Sequence, residues 1–127
     1  MKILILNGSP KGKYSVTLQT CNYLALKFPE HEFDVLHVGQ QIKKFQRDFS
    51  SAAEKLRWAE LILFSYPIYT FIAPSQLHYF IDLMKKSDID FSGKVVHISR
   101  KSLDNLKVHI IAVILNILVS SYVIKML

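Results

Sequence analysis

After one lysine, residues 2–6 (KILIL) form an apolar, partly β-branched run, the pattern of a strand covered on both faces. Residues 16–28 (VTLQTCNYLALKF) put Val16, Leu18, Cys21, Leu24, Ala25 and Phe28 near helical spacing, and Pro29 stops that helix. Residues 32–38 (EFDVLHV) alternate as a strand, with Phe33, Val35 and His37 to one side, Asp34, Leu36 and Val38 to the other, and Gly39 at its end. Residues 50–59 (SSAAEKLRWA) open on serines suited to cap a helix, with Glu54 in the first turn. A second buried strand, 61–67 (LILFSYP), closes on Pro67. Residues 75–86 (SQLHYFIDLMKK) set Leu77, Phe80, Ile81 and Met84 on one helix face and end in lysines, where the helix dipole favours cations. Residues 93–99 (GKVVHIS) read as another buried strand.

Strand and helix therefore alternate, which predicts an α/β domain: a doubly wound parallel sheet with helices on both faces in three layers. Ligands of such sheets sit outside the carboxyl ends of the strands, where the strand order reverses. The loops after residues 6, 66 and 99 are thus the places to look for chemistry.

Composition narrows the classes. A chain of 127 residues, half of them hydrophobic, is one globular domain with a real core. Its single cysteine, Cys21, excludes an internal disulfide framework, a multi-cysteine zinc site and an iron–sulfur cluster held within one chain. The formal net charge of +6 invites a nucleic-acid reading. The basic clusters (Lys43, Lys44, Arg47; Lys85, Lys86) lack interleaved aromatic platforms, so no nucleic-acid partner is expected and solvated lysines are the better account. The apolar run in MKILILNGSP is too short for a secretory leader, and the chain is expected to be cytoplasmic.

The loop NGSPKGKYSVT, residues 7–17, runs from the first strand into the first helix. Unpaired N–H groups at a helix start, together with the dipole, favour an anion there. Gly8 permits close approach, Ser9, Ser15 and Thr17 offer hydroxyls, and Lys11 and Lys13 add positive charge. The nucleoside-triphosphate loop is excluded: Gly8 and Gly12 are one residue too close, and Tyr14 follows Lys13 where a Ser or Thr is required. The G-x-G-x-x-G fingerprint is absent, and Cys21 lies too far down the helix to be a phosphatase nucleophile. Two readings stay open: a hydroxyl-rich cradle for one terminal phosphate, and an ordinary capped connection.

The second loop, SYPIYTFIAPSQLHYFID, exposes Ile68, Tyr69, Thr70 and Phe71 after Pro67. Such a loop suits the wall of a flat ring whose polar edge bonds backbone N–H groups, or else packs on its own domain or at a dimer seam. Together, GSPKGKYSVT and the series Pro67, Tyr69, Pro74, Leu77, Phe80, Ile81, Asp82 resemble the flavodoxin-like NAD(P)H-dependent FMN and quinone reductase family, over residues 1 to about 99. The resemblance implies FMN held without a covalent bond. Ser9, Lys11, Lys13, Ser15, Val16 and Thr17 would hold its phosphate, and Pro67, Ile68, Tyr69, Thr70 and Phe71 would wall its ring. It further implies NAD(P)H as co-substrate, a quinone, flavin or similar small acceptor, and a homodimer with the acceptor site at the seam. Flavodoxin-like electron carriers without nicotinamide chemistry, and non-catalytic remnants of the fold, are the alternatives.

The chain departs from that pattern in places. His78 and Leu83 stand where the family usually has lysine and arginine. The third loop, Ser99-Arg100-Lys101-Ser102, lacks the family's glycine. We therefore expect an FMN-binding core over 1–99, a sheet curtailed after its fourth strand, and an atypical hydrophobic tail over 100–127. The tail reads as a buried helix, or a strand plus helix; His109, Asn116 and the paired serines 120 and 121 disfavour a membrane span.

Overall fold

The computed structural model describes residues 1–67, 73–92, 94–98 and 108–110, the last two segments chiefly by their backbone. The apolar run makes β1, Lys2–Asn7, buried from its second residue onward. A single 3₁₀ turn, Gly12–Tyr14, leads into α1, Val16–Lys27. Then follow β2, Glu32–Leu36, and two helices in succession, α2 (Val38–Arg47) and α3 (Ser50–Trp58). Strand β3, Leu61–Ser65, is wholly buried and is followed by α4, Ser75–Lys86. The strands β4, Val95–Ile98, and β5, Val108–Ile110, complete the described elements.

All pairings are parallel, and the strand order is β2-β1-β3-β4-β5. The doubly wound sheet predicted from the alternation is therefore present. Among the described residues it continues beyond β4 as the three residues of β5, against six in β1. That fragment is extended; the remainder of the tail expected to be helical lies outside the described residues.

The strands' two-residue period sorts the core into two faces. Ile3, Ile5, Leu61 and Leu63 meet Leu18, Cys21 and Leu24 of α1. On the opposite face Leu4, Leu6, Ile62 and Phe64 meet Val38, Ile42 and Phe45 of α2, Ala52, Ala53 and Leu56 of α3, and Leu77, Phe80 and Met84 of α4. On that larger face the buried Phe80 ring is set edge-on to Phe45 and tilted against Phe49, both at 5.5 Å. The Lys55 ammonium reaches Asp34 at 2.8 Å and ties α3 to β2.

Three readings at element ends are corrected by the structure. Residues 38–47 are a helix rather than a strand end followed by loop, because Val38, Ile42 and Phe45 fall at i, i+4 and i+7 and are all buried. The serines at 50 and 51 do not cap α3. Its first turn is held from outside, by Asp48, whose Oδ1 accepts from the Ser50 N–H at 2.9 Å and from the Ser50 hydroxyl. Those two hydrogen bonds hold the Asp48 carboxyl below its usual range. The third strand ends at Ser65, before Tyr66 and Pro67.

Candidate functional site

The loop between β1 and α1 is built by its own side chains. Asn7, fully buried at the end of β1, accepts from the Ser9 N–H at 3.1 Å and donates to the Gly12 carbonyl at 2.8 Å. Ser9 Oγ accepts from the Lys11 N–H at 3.2 Å, and the Ser9 carbonyl accepts from the Gly12 N–H, also at 3.2 Å. Gly12 turns the chain at φ +55°, a conformation that side chains disfavour. Ser15 then caps α1, its hydroxyl accepting from the Leu18 N–H at 3.4 Å.

The outcome is a turn suited to an anion. Ser15 Oγ and Thr17 Oγ1 lie 2.7 Å apart, both buried. Among the described residues none accepts from the backbone N–H of Lys13, Val16 or Thr17. Those of Val16 and Thr17 are the orphan donors expected of a helix start. The first turn of α1 holds no acidic residue, and Lys11 and Lys13 are exposed beside it. Val16 is 61 % exposed, so its place in a helix pattern does not bury it.

This turn lies beside the second loop. The Gly8 N–H donates to the Ser65 carbonyl at 2.8 Å, and Asn7 is in register with Ser65. A Cβ on Gly8 would stand 3.1 Å from Tyr66 Cβ and 3.4 Å from Leu77 Cβ, so the turn is wedged between the exit of β3 and the first full turn of α4. The start of α2 presses from the other side: a Cβ on Gly39 would overlap the Ser9 carbonyl. Both loops therefore leave the same end of the sheet, at the point where strand order reverses between β1 and β3. Ser9, Lys11, Lys13, Ser15, Val16 and Thr17 share one loop–helix junction, with half-buried Pro67 at the neighbouring exit. Ile68, Tyr69, Thr70 and Phe71 lie outside the described residues.

The Cys21 thiol is fully buried beside Ser65, whose hydroxyl has no hydrogen-bond partner among the described residues. Burial pushes that thiol up to about 11. It is a packing residue, not a nucleophile.

Residues 1–114 match the model of a family described by its flavodoxin-like fold. The chain belongs to that family. Among solved structures, this flavodoxin-like chain is similar to the apo form of an NADH:FMN oxidoreductase (EMOB), at 25 % identity and a TM-score of 0.54. The match covers 65 % of this chain and 49 % of that one, so the chain spans about half the length of this solved relative. No curated protein matches. Among the described residues no helix is long and apolar enough to cross a membrane.

Two residues that build this turn escape the sequence reading: Asn7, part of the loop but without a role there, and His37, whose ring meets the Asn7 amide. A polar residue closing an otherwise apolar buried strand was the available signal for Asn7.

Proposed function

We propose that this chain binds FMN and uses it as an oxidoreductase that takes electrons from NAD(P)H and delivers them to a small acceptor such as a quinone or free flavin. The observation that carries the reading is the 2.8 Å bond from the Gly8 N–H to the Ser65 carbonyl. It joins an anion-suited turn to the exit from which a ring-covering loop would spring. Membership of the flavodoxin-like family and the likeness to an NADH:FMN oxidoreductase support the same reading.

The turn fits a phosphoryl group by its own chemistry. It offers the N–H groups of Val16 and Thr17, the hydroxyls of Ser15 and Thr17, nearby lysines and no acidic side chain. Ser15 Oγ already accepts from Leu18; with its own proton aimed at Thr17 Oγ1, the Thr17 O–H is left to donate to the phosphoryl oxygens. Ser9 shapes the turn through Lys11, and Lys11 and Lys13 supply charge at its rim. Pro67, Ile68, Tyr69, Thr70 and Phe71 would wall the ring. When bound, FMN supplies the hydride acceptance and electron release that no side chain here provides, and the protein's part is to hold and orient it. Two copies would close the acceptor site at a homodimer seam, in the cytoplasm.

The test is direct. The purified chain, titrated into FMN, quenches its fluorescence; under anaerobic NADH or NADPH the bound flavin loses its visible absorbance. Binding without bleaching would leave a flavin-binding electron carrier. No binding would overturn the proposal.

A further inference from the structure

We propose that Asn7 is the positioning residue of the phosphoryl turn, and that His37, arriving from the neighbouring strand exit, holds Asn7 in the orientation this requires. The inference rests on the FMN reading above and names residues that the phosphoryl group need not touch.

The side chain of Asn7 is fully buried, yet each of its polar atoms is used. Oδ1 accepts from the Ser9 N–H at 3.1 Å; Nδ2 donates to the Gly12 carbonyl at 2.8 Å and meets His37 Nδ1 at 3.2 Å. The two backbone partners fix which end of the amide is nitrogen, because the reverse orientation would set oxygen against the Gly12 carbonyl and N–H against N–H at Ser9. An amide nitrogen can only donate, so His37 Nδ1 is the acceptor and its ring is protonated at Nε2.

The consequence lies in the turn. Ser9 and Gly12 bracket the bend that delivers Ser15, Val16 and Thr17 to the helix start, and Gly12 takes its positive φ there. The Gly12 carbonyl accepts from Asn7 and also from the Ser15 N–H at 3.1 Å, so one oxygen joins the buried amide to the helix cap. Without Asn7 the buried Gly12 carbonyl and Ser9 N–H each lose a partner, and the turn is free to rotate its donors out of register. His37 is the N-terminal flank of α2, whose Gly39 presses on Ser9, so the same clasp joins the exits of β1 and β2.

The experiment compares FMN with riboflavin, which shares the ring and lacks the phosphate. Affinities for both are read by fluorescence quenching, with circular dichroism melts run alongside. Asn7→Ala is expected to lower FMN affinity about tenfold or more, from the hydrogen bonds lost, and to leave riboflavin affinity nearly unchanged. Asn7→Asp, which keeps the acceptor toward Ser9 and turns a carboxylate toward the Gly12 carbonyl, is expected to lose more. His37→Leu lowers the FMN-to-riboflavin ratio several-fold, whereas His37→Gln, which retains an acceptor, restores it. Equal losses for both flavins in Asn7→Ala, or an intact FMN preference in both Asn7→Ala and His37→Leu, overturns the positioning role while the FMN reading stands. If Asn7→Ala fails to fold, the His37 pair decides: no difference between Leu and Gln overturns the inference. A wild-type chain that binds neither flavin overturns the FMN reading and this inference with it; one that binds both equally has no grip on the phosphate and overturns this inference alone.

Discussion

At the residue scale, the candidate site divides into groups whose partners are near in sequence and groups whose partners are far. Thr17 belongs to the first kind. Its hydroxyl lies 2.7 Å from Ser15 Oγ at the head of α1, and a cap at a loop–helix junction is visible in the sequence itself. Thr17→Val keeps the shape and removes the donor, and is expected to weaken FMN by about 1–3 kcal/mol, with riboflavin little affected; unchanged FMN affinity in a fluorescence titration would remove Thr17 from the site. Asn7 belongs to the second kind. Its partners are Ser9, Gly12 and His37, and the last is thirty positions away, so nothing in the sequence discloses that contact. Cys21 shows a legible type with an illegible state. Its place in the apolar stripe of α1 was visible; its neighbour Ser65, forty-four positions on, was not. With a folded value of about 11 against 9.0 for the free group, the folded chain holds the thiol proton more tightly. The stability tied to that proton is complete below pH 9 and is lost as pH rises towards 11, a change of about 2–3 kcal/mol. At pH 8, iodoacetamide is expected to label Cys21 at least about 100-fold more slowly in the native chain than in urea, followed by mass spectrometry. Equal rates would mean the thiol is open to solvent.

At the element scale, strands β1 and β3 follow from unbroken apolar runs that are buried on both faces, and helices α1 and α4 from apolar positions near helical spacing. Helix α2 does not. The alternation of residues 32–36 carries on through His37 and Val38, and Gly39 looks like a terminator, so the strand pattern hides the start of the helix. The glycine is there for a tertiary reason: only a residue without Cβ lets the first turn of α2 rest on the Ser9 carbonyl. Gly39→Ala therefore tests the contact rather than helix propensity, since alanine is the better helix former. The obstructing atoms are backbone atoms of Gly8 and Ser9, which cannot swing aside. The substitution is expected to destabilise the chain by about 1–3 kcal/mol in thermal or urea unfolding and to weaken FMN at the same time. Gly12→Ala meets the flexible end of Gln40 instead, and its cost is mainly the positive φ. A Gly39→Ala chain as stable as wild type would show that α2 does not brace the turn.

At the scale of the whole molecule, the alternation of elements determines more than any single residue: it predicts a parallel sheet, and a parallel sheet of this order places the ends of β1 and β3 side by side at the switch point. The reach of that logic ends near β4, because a three-residue β5 within an apolar tail carries no periodicity that distinguishes strand from helix. Topology also decides which charges matter. The net charge of +6 is spread over the surface, and an anionic flavin approaching the turn senses those charges within a screening length, about 10 Å at 0.1 M salt. Lys11 and Lys13 stand at the turn itself. Lys85 and Lys86 occupy the last turn of α4, which starts beside the turn and runs away from it for twelve residues, about 18 Å. If the turn is the entry point, FMN association slows several-fold between 20 and 500 mM salt in stopped-flow quenching. Lys11→Gln with Lys13→Gln then flattens that dependence, while Lys85→Gln with Lys86→Gln, an equal loss of charge, leaves the slope nearly unchanged. Equal flattening by both pairs would mean that net charge alone attracts the flavin and that the lysines of the turn have no local part in its capture.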